Sequence, residues 1–173
     1  MSALLRPPPG PGPDPAAGLL YRPMAAADLA SVVAIETVAY SHPWSRANFI
    51  DSLAAGYSAE LRVQAGGGVV GYFVALPGFE ESHLLNLTVA PAWQRAGHGQ
   101  ALLRRVMHLA RQRGDQSLWL EVRPSNLAAR ALYQRLGFAQ VGCRRNYYPA
   151  PEQRREDALV LRKALNGGPG ALV

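Results

Sequence analysis

The sequence predicts an α/β domain built on a mixed sheet, and three observations carry that prediction. In the middle of the chain, apolar runs of strand length alternate with helix-period stretches: Leu84–Val89 precedes Ala101–Arg111, and Gln116–Arg123 precedes a helix that runs through Leu136. Towards each end, two strand candidates follow one another without a helix between them, as hairpins do. The 173 residues suffice for one domain with its own core, and nothing marks a second.

Residues 1–18 are rich in Pro and Gly (Pro7-Pro8-Pro9-Gly10-Pro11-Gly12-Pro13), which cannot build a core, so they read as a disordered or extended tail. The domain spans 19–165 and opens on a short strand, Leu19-Leu20-Tyr21-Arg22. Asp28–Ala39 reads as a helix offering Leu29, Val32, Val33 and Ile35 to the core. Pro43 disfavours helix at His42, so Tyr40–Trp44 is a turn, and Ser45 is the N-cap of a helix over Arg46–Ala54. Leu61–Gln64 and Val69–Leu76 form a hairpin around Gly66-Gly67-Gly68, the second strand apolar enough to be buried on both faces. A loop with Glu80 and Glu81 leads to the strand Leu84–Val89, which Pro91 ends because proline cannot donate to a ladder. Beyond it, Leu102, Leu103, Val106, Leu109 and Ala110 share one side of a helix whose other side carries Arg104, Arg105, His108 and Arg111. Gly114 caps that helix. Gln116–Arg123 alternates until Pro124, Ser125 or Asn126 caps the last helix, and Gly137 ends it. Phe138–Arg145 and Asp157–Lys163 are the final strands, and the Gly-rich segment 166–173 reads as a frayed tail.

Composition narrows the function. No apolar run approaches the ~20 residues of a membrane span, and Met1–Arg6 lacks the apolar segment of a signal peptide. The single cysteine, Cys143, excludes an internal disulfide and reads as a small strand residue, and no Cys/His spacing suggests a metal. A reducing compartment, the cytoplasm, is expected. The net charge of +6 rests on arginine, with Lys163 the one lysine. Arg95, Arg104, Arg105, Arg111 and Arg113 lie in or beside one helix without the interleaved aromatics of a single-strand binder, which favours a phosphorylated small molecule over nucleic acid.

The chemistry points to the same helix. Between strand and helix stands Gln94-Arg95-Ala96-Gly97-His98-Gly99-Gln100. A glycine turn at a helix start leaves backbone N–H groups unpaired and lets an anion approach closely. No Gly-Lys-Ser/Thr follows, so it is not a Walker loop, and Leu102 stands where a dinucleotide fingerprint needs its third glycine. Glu121 is a carboxylate in a central strand: either an edge residue paired with Arg123, or a partly desolvated base at a sheet opening, its pKa raised towards working pH. Asn126, Arg130 and Tyr133 form one stripe along their helix. Tyr133 is either a core residue or a phenol able to give its proton to a leaving sulfur.

These stretches resemble the GCN5-related N-acetyltransferases (GNAT family). Gln94, Gly97 and Gly99 match the Q/R-x-x-G-x-G/A motif, and Leu118–Asn126, Ala131-Leu132-Tyr133 and Leu136-Gly137-Phe138 resemble the RimI-type branch, which acetylates the N-terminal alanine of a small-subunit ribosomal protein. His42-Pro43-Trp44-Ser45, Arg144–Pro149 and Glu156-Asp157-Ala158 also match, so the resemblance runs from about Tyr21 to Leu165. It implies a mostly antiparallel central sheet flanked by helices, with a cofactor cleft at the sheet opening, and acetyl-CoA as donor. Leu87, Thr88 and Val89 would offer strand backbone to the acetyl carbonyl and pantetheine arm. Arg95, Ala96, Gly97, His98, Gly99 and Gln100 would cradle the pyrophosphate, and Asn126 would contact the cofactor. Glu121 corresponds to the proton acceptor and Tyr133 to the proton donor. Trp44, Arg123, Tyr147 and Tyr148 are expected in the acceptor groove, with a protein N-terminus as partner and neither nucleic acid nor membrane bound directly. A lysine or small-molecule amine as acceptor, or an acyl-CoA-binding module without catalysis, are the alternatives.

Overall fold

One seven-stranded sheet organises the structure, a computed structural model that describes residues 18–166. The strands are β1 (Leu19–Pro23), β2 (Ser58–Gln64), β3 (Val69–Pro77), β4 (Glu81–Val89), β5 (Ser117–Val122), β6 (Ala139–Pro149) and β7 (Arg155–Ala164), in the spatial order β1-β2-β3-β4-β5-β7-β6. Four helices flank them: α1 (Leu29–Ala39), α2 (Arg46–Ala54), α3 (His98–Gln112) and α4 (Leu127–Arg135). All neighbours are antiparallel except β4 and β5, the pair joined by the long α3 crossover. The expectation of a mixed, mostly antiparallel sheet flanked by helices therefore holds. The two expected tails fall almost wholly outside the described residues.

Each face of the sheet carries its own core. Leu102, Leu103, Val106 and Ala110 of α3 meet Phe73, Leu84, Leu118, Leu120 and Val122 on one face, with Tyr133 and Phe138 beside them. Leu29 and Val32 of α1 and Phe49 of α2 meet Leu61, Val63, Tyr72 and Val74 on the other. β3 is thus buried on both sides, as its apolar run requires. Ser45 caps α2 by accepting from the Asn48 amide at 3.2 Å, and Asn126, not Ser125, caps α4 by accepting from the Ala129 amide at 3.1 Å.

Several boundaries differ from the sequence reading, and three of the differences bear on the site. β4 starts at Glu81, because pairing with β3 and β5 extends it back over Glu81-Ser82-His83 and leaves only Glu80 in the turn, at φ 54°. α3 starts at His98, since Gly97 at φ 84° serves as its N-cap and Gly99 already lies in the first turn. β6 continues to Pro149 past an irregularity between Arg144 and Tyr148, where Asn146 at φ 51° donates its amide to Asp157 at 2.8 Å.

The irregularity that shapes the site lies in β4. Val74 faces Asn86 while Ala75 faces Leu84, so Leu85 is an extra residue, a bulge. Leu84 packs with the α3 core, and beyond the bulge Leu87 and Val89 also pack there, whereas Asn86 and Thr88 turn to the α1 side. Pairing of β4 with β5 stops at the same place, Leu84 opposite Leu120. A bulge bends its strand, and here the bend opens the sheet into a cleft between the ends of β4 and β5.

Gly71 keeps the bent strand seated, because a Cβ there would lie 2.6 Å from the Thr88 carbonyl oxygen and 2.9 Å from Leu102 Cδ1. Gly71→Ala is expected to destabilise the domain by about 1–3 kcal/mol and to lower its melting temperature by about 2–12 °C in a calorimetric scan. Gly66→Ala, where a Cβ meets nothing within 4 Å, serves as the control and should leave the melting temperature in place.

Candidate active site

One wall of the opening is the free edge of β4. Ala90 bonds back to β3 through its amide (2.9 Å to the Val70 oxygen), so the backbone groups of Leu87 and Val89 turn the other way, towards the cleft. Their carbonyls are taken by side chains: Tyr40 Oη donates to the Leu87 oxygen at 3.2 Å, and Gln94 Nε2 donates to the Val89 oxygen at 3.1 Å. Among the described residues their amides have no partner and can meet a carbonyl oxygen laid beside the strand. At the end of this edge the chain turns through Gln94–Gly97, with Arg95 at φ 66° and Gly97 at φ 84°, into α3. The first-turn amides of that 15-residue helix point out of its N-terminus. Gly99 keeps the passage beside them narrow but open, since a Cβ there would already touch Leu132 of α4 (3.5 Å) and Val89 of β4 (3.8 Å).

The cradle works through backbone rather than charge. His98 is 3% exposed, stacks edge-on against Trp93 with centroids 5.5 Å apart, and leaves Nε2 without a partner among the described residues. Burial, then the nearby Arg62 cation, push its pKa below the usual imidazole value, so the ring is neutral and only the amide of His98 serves the turn. The arginines whose charge favoured a phosphorylated ligand are mostly engaged elsewhere. Arg105 holds Glu60 (2.7 and 3.0 Å), Arg113 holds Asp115 (2.7 Å), and Arg111 donates to the Leu165 carbonyl (3.2 Å). Arg95 and Arg104 have no carboxylate partner among the described residues.

Across the opening stands Glu121, near the end of β5 and beyond the last residue that pairs with β4. Its side chain is 17% exposed and its Oε1 lies 3.1 Å from Arg144 Nε on β6. The ion pair is thus with Arg144 and not with Arg123. Leu118, Leu120 and Val122 point into the α3–α4 core, so Glu121 leaves β5 on the opposite face. Tyr133 of α4 packs in that core, its ring 5.7 Å from Phe138. Burial first, then the neighbouring Tyr40 and Tyr148, hold its pKa well above the ordinary phenol value. Tyr148 connects the two faces: burial, followed by Glu121 and Tyr147, pushes its own phenol up to about 12. The Tyr133 phenol thus feels Tyr40 and Tyr148, and Tyr148 in turn feels the Glu121 carboxylate.

The expected acceptor residues divide. Tyr147 is exposed, meets Tyr148 edge-on at 5.0 Å and lies under the Arg144 guanidinium at 5.6 Å. Arg123 is anchored rather than free: it donates to the Pro149 carbonyl (2.8 Å), pairs with Glu156 (3.3 Å) and covers the Tyr148 ring at 4.3 Å. Trp44 is half-buried, its ring 5.3 Å from Phe49, so it contributes to the α1–α2 core. Cys143 is exposed on β6, and local desolvation followed by the Asp157 carboxylate push its thiol up, away from the thiolate a nucleophile needs. Among the described residues, no cluster of His, Cys, Asp and Glu could hold a metal ion.

Comparison with known proteins decides the family. The model of the acetyltransferase (GNAT) family matches residues 29–138. The chain belongs to the GNAT family. Within it, the chain is 38% identical over 134 residues to the [ribosomal protein bS18]-alanine N-acetyltransferase of Escherichia coli K12, covering 78% of this chain and 89% of that one. It is 35% identical over 136 residues to the enzyme of the same description from Haemophilus influenzae (79% and 92% covered). The crystal structure of the ribosomal-protein-S18-alanine N-acetyltransferase from Escherichia coli superposes with a TM-score of 0.80 at 34% identity, covering 90% of this chain and 99% of that one.

The GNAT site also contains residues that the sequence reading passed over. Glu36 is 2% exposed and sits under β4, Tyr40 reaches the Leu87 carbonyl, and Arg144 holds Glu121. A signal for Glu36 was present: it falls four residues after Val32 and seven after Leu29, on the apolar stripe of α1, where a carboxylate must find donors. Arg144 gives no local signal, because its register opposite Glu121 depends on β7 lying between β5 and β6.

Proposed function

We propose that this protein transfers the acetyl group of acetyl-CoA to the N-terminal α-amino group of a protein in the cytoplasm, with the alanine of a small-subunit ribosomal protein as the acceptor. The observation that carries the reading is the bulge-opened cleft, with two free amides on one wall, a helix N-terminus at its end and Glu121 opposite. Similarity to the bS18-alanine N-acetyltransferases supports the choice of acceptor. Among the described residues no helix is long and apolar enough to cross a membrane, which is compatible with the cytoplasm.

The residues fit the donor. The turn amides of Arg95, Ala96, Gly97, His98, Gly99 and Gln100 would hold the pyrophosphate, and the Leu87–Val89 strand would run beside the pantetheine arm and donate from its amides to the acetyl oxygen. Asn126 spends its side-chain oxygen on the α4 cap, so its amide NH₂ is what remains for the donor. An α-amino group has a pKa near ~8 and is mostly protonated at neutral pH. Glu121 takes that proton, the free amine attacks the thioester carbon, the C–S bond breaks, and the Tyr133 phenol supplies a proton to the departing sulfur. Both reactants lie in one cleft, so no acyl-enzyme is needed.

Incubation with acetyl-CoA and a peptide beginning with alanine should give one acetyl group on the α-nitrogen, located by fragment mass spectrometry. The same peptide with a blocked N-terminus and internal lysines should stay unmodified. Acetylated lysines beside an untouched N-terminus would reject this acceptor, and binding of acetyl-CoA with no transfer to any amine would reject catalysis.

A further inference from the structure

Beneath the free edge of β4 lies a buried carboxylate with no cation beside it among the described residues. Glu36 Oε1 accepts from the Trp44 amide (3.1 Å) and from Asn86 Nδ2 (3.1 Å). Its Oε2 accepts from Tyr72 Oη (2.5 Å) and from Thr88 Oγ1 (3.3 Å). Burial, and then Glu36 itself, keep the Tyr72 phenol protonated and therefore a donor. These bonds give the surrounding network a direction. A carboxylate only accepts, so Asn86 must turn its NH₂ towards Glu36 and its oxygen towards Thr88. The Thr88 hydroxyl has one proton, and it goes to Asn86 Oδ1 at 2.8 Å, shared with Glu36. Thr88 Oγ1 can then only accept from the next group, Tyr40 Oη at 3.1 Å, whose other inward neighbour is the Leu87 carbonyl oxygen, also an acceptor. The Tyr40 proton is committed inward. Its oxygen lone pairs are left for a partner at the free edge of β4, beside the Leu87 carbonyl oxygen that Tyr40 meets.

We propose that Tyr40 orients the incoming amine by accepting one of its N–H bonds, and that Glu36 is the positioning residue that fixes Tyr40 as an acceptor through Asn86 and Thr88. This rests on the proposed amine acetylation. An amine held by one N–H keeps its lone pair free to meet the carbonyl carbon lying against Leu87 and Val89, which is what orientation contributes to rate. A phenol facing the cleft with its proton outward would instead donate to that lone pair and block attack.

The test pairs kinetics with a measurement that needs no acceptor. In steady-state transfer to an alanine peptide, Tyr40→Phe should lower kcat about tenfold with the KM for acetyl-CoA unchanged. Glu36→Gln should cost about the same, because its own NH₂ lets Asn86 and Thr88 reverse, and the double variant should be no slower than Glu36→Gln alone. Independently, in protein labelled at tyrosine 13Cζ, the Tyr40 resonance (the one missing in Tyr40→Phe) should shift in Glu36→Gln while the fold, checked by melting, persists. A Tyr40→Phe enzyme with wild-type kcat, multiplying losses in the double variant, or an unmoved Tyr40 resonance in Glu36→Gln would each overturn the proposal. If the wild type leaves the peptide unmodified, the acceptor assignment has failed, and the resonance alone decides whether Glu36 sets the direction of the chain.

Discussion

Glu121→Gln is expected to lower kcat for α-amine acetylation by about 10²–10⁴-fold at neutral pH, the usual worth of a positioned general base. Glutamine keeps the shape and can still accept from Arg144 through its carbonyl oxygen, so the pair on β6 is perturbed rather than emptied. What it loses is the ability to take a proton. The loss should depend on pH in a specific direction. An α-ammonium group loses its proton near pH ~8, so above that value the amine arrives ready to attack and the variant recovers part of its deficit. Below it, the variant's rate should fall about tenfold per pH unit, tracking the free-amine fraction, while the wild type falls less steeply. Binding of acetyl-CoA, measured by calorimetry, should be unchanged, because Glu121 lies on β5 while the proposed donor contacts are on β4, on α3 and at Asn126. A Glu121→Gln enzyme with wild-type kcat at pH 7 would remove Glu121 from the mechanism.

Much of this site is legible without a structure, and the division follows the range of the forces involved. The cradle announces itself locally: a strand stopped by Pro91, a turn through Gly97 and a helix with one apolar side are all encoded within about two turns of chain. Glu121 stands out because a charge in a central strand needs a reason. The bulge is another matter. Leu85 is followed by Asn86 and Leu87 with no Gly or Pro to mark it, and the face switch it causes comes from pairing with β3, a neighbour set by the fold. Glu36 was hidden for a related reason. Leu29, Val32, Val33 and Ile35 suffice to predict α1; a carboxylate on their stripe signals that it needs donors, but the four it finds, three from distant strands and one from a loop, are set by the fold. The arginines of α3 show the converse: their charge density pointed to a phosphorylated ligand, as acetyl-CoA is, yet Arg105 and Arg113 themselves are spent on Glu60 and the buried Asp115.

Tyr133→Phe should lower kcat by about 10²-fold and leave the KM for acetyl-CoA near its wild-type value. The argument turns on matched acidities. In water a phenol (pKa ~10) is a weaker acid than a thiol (~8.5), so giving a full proton to a solvated thiolate would be uphill. Burial raises the Tyr133 phenol further, yet the sulfur leaving in the same cleft is desolvated too, and desolvation raises a thiol in the same direction. In the proposed mechanism the proton therefore moves as the C–S bond breaks and the sulfur becomes basic, so that the transfer costs little at that moment. The direction of the shift also fixes a pH signature. Tyr133 is active when protonated, and a raised pKa keeps it protonated beyond the ordinary phenol value. The wild-type kcat should consequently show no alkaline limb below pH ~10 that disappears in Tyr133→Phe. A limb in that range present in the wild type and absent from the variant would mean that Tyr133 ionises as a surface phenol does. A variant within about threefold of wild type would mean that solvent, not Tyr133, delivers the proton to the leaving sulfur.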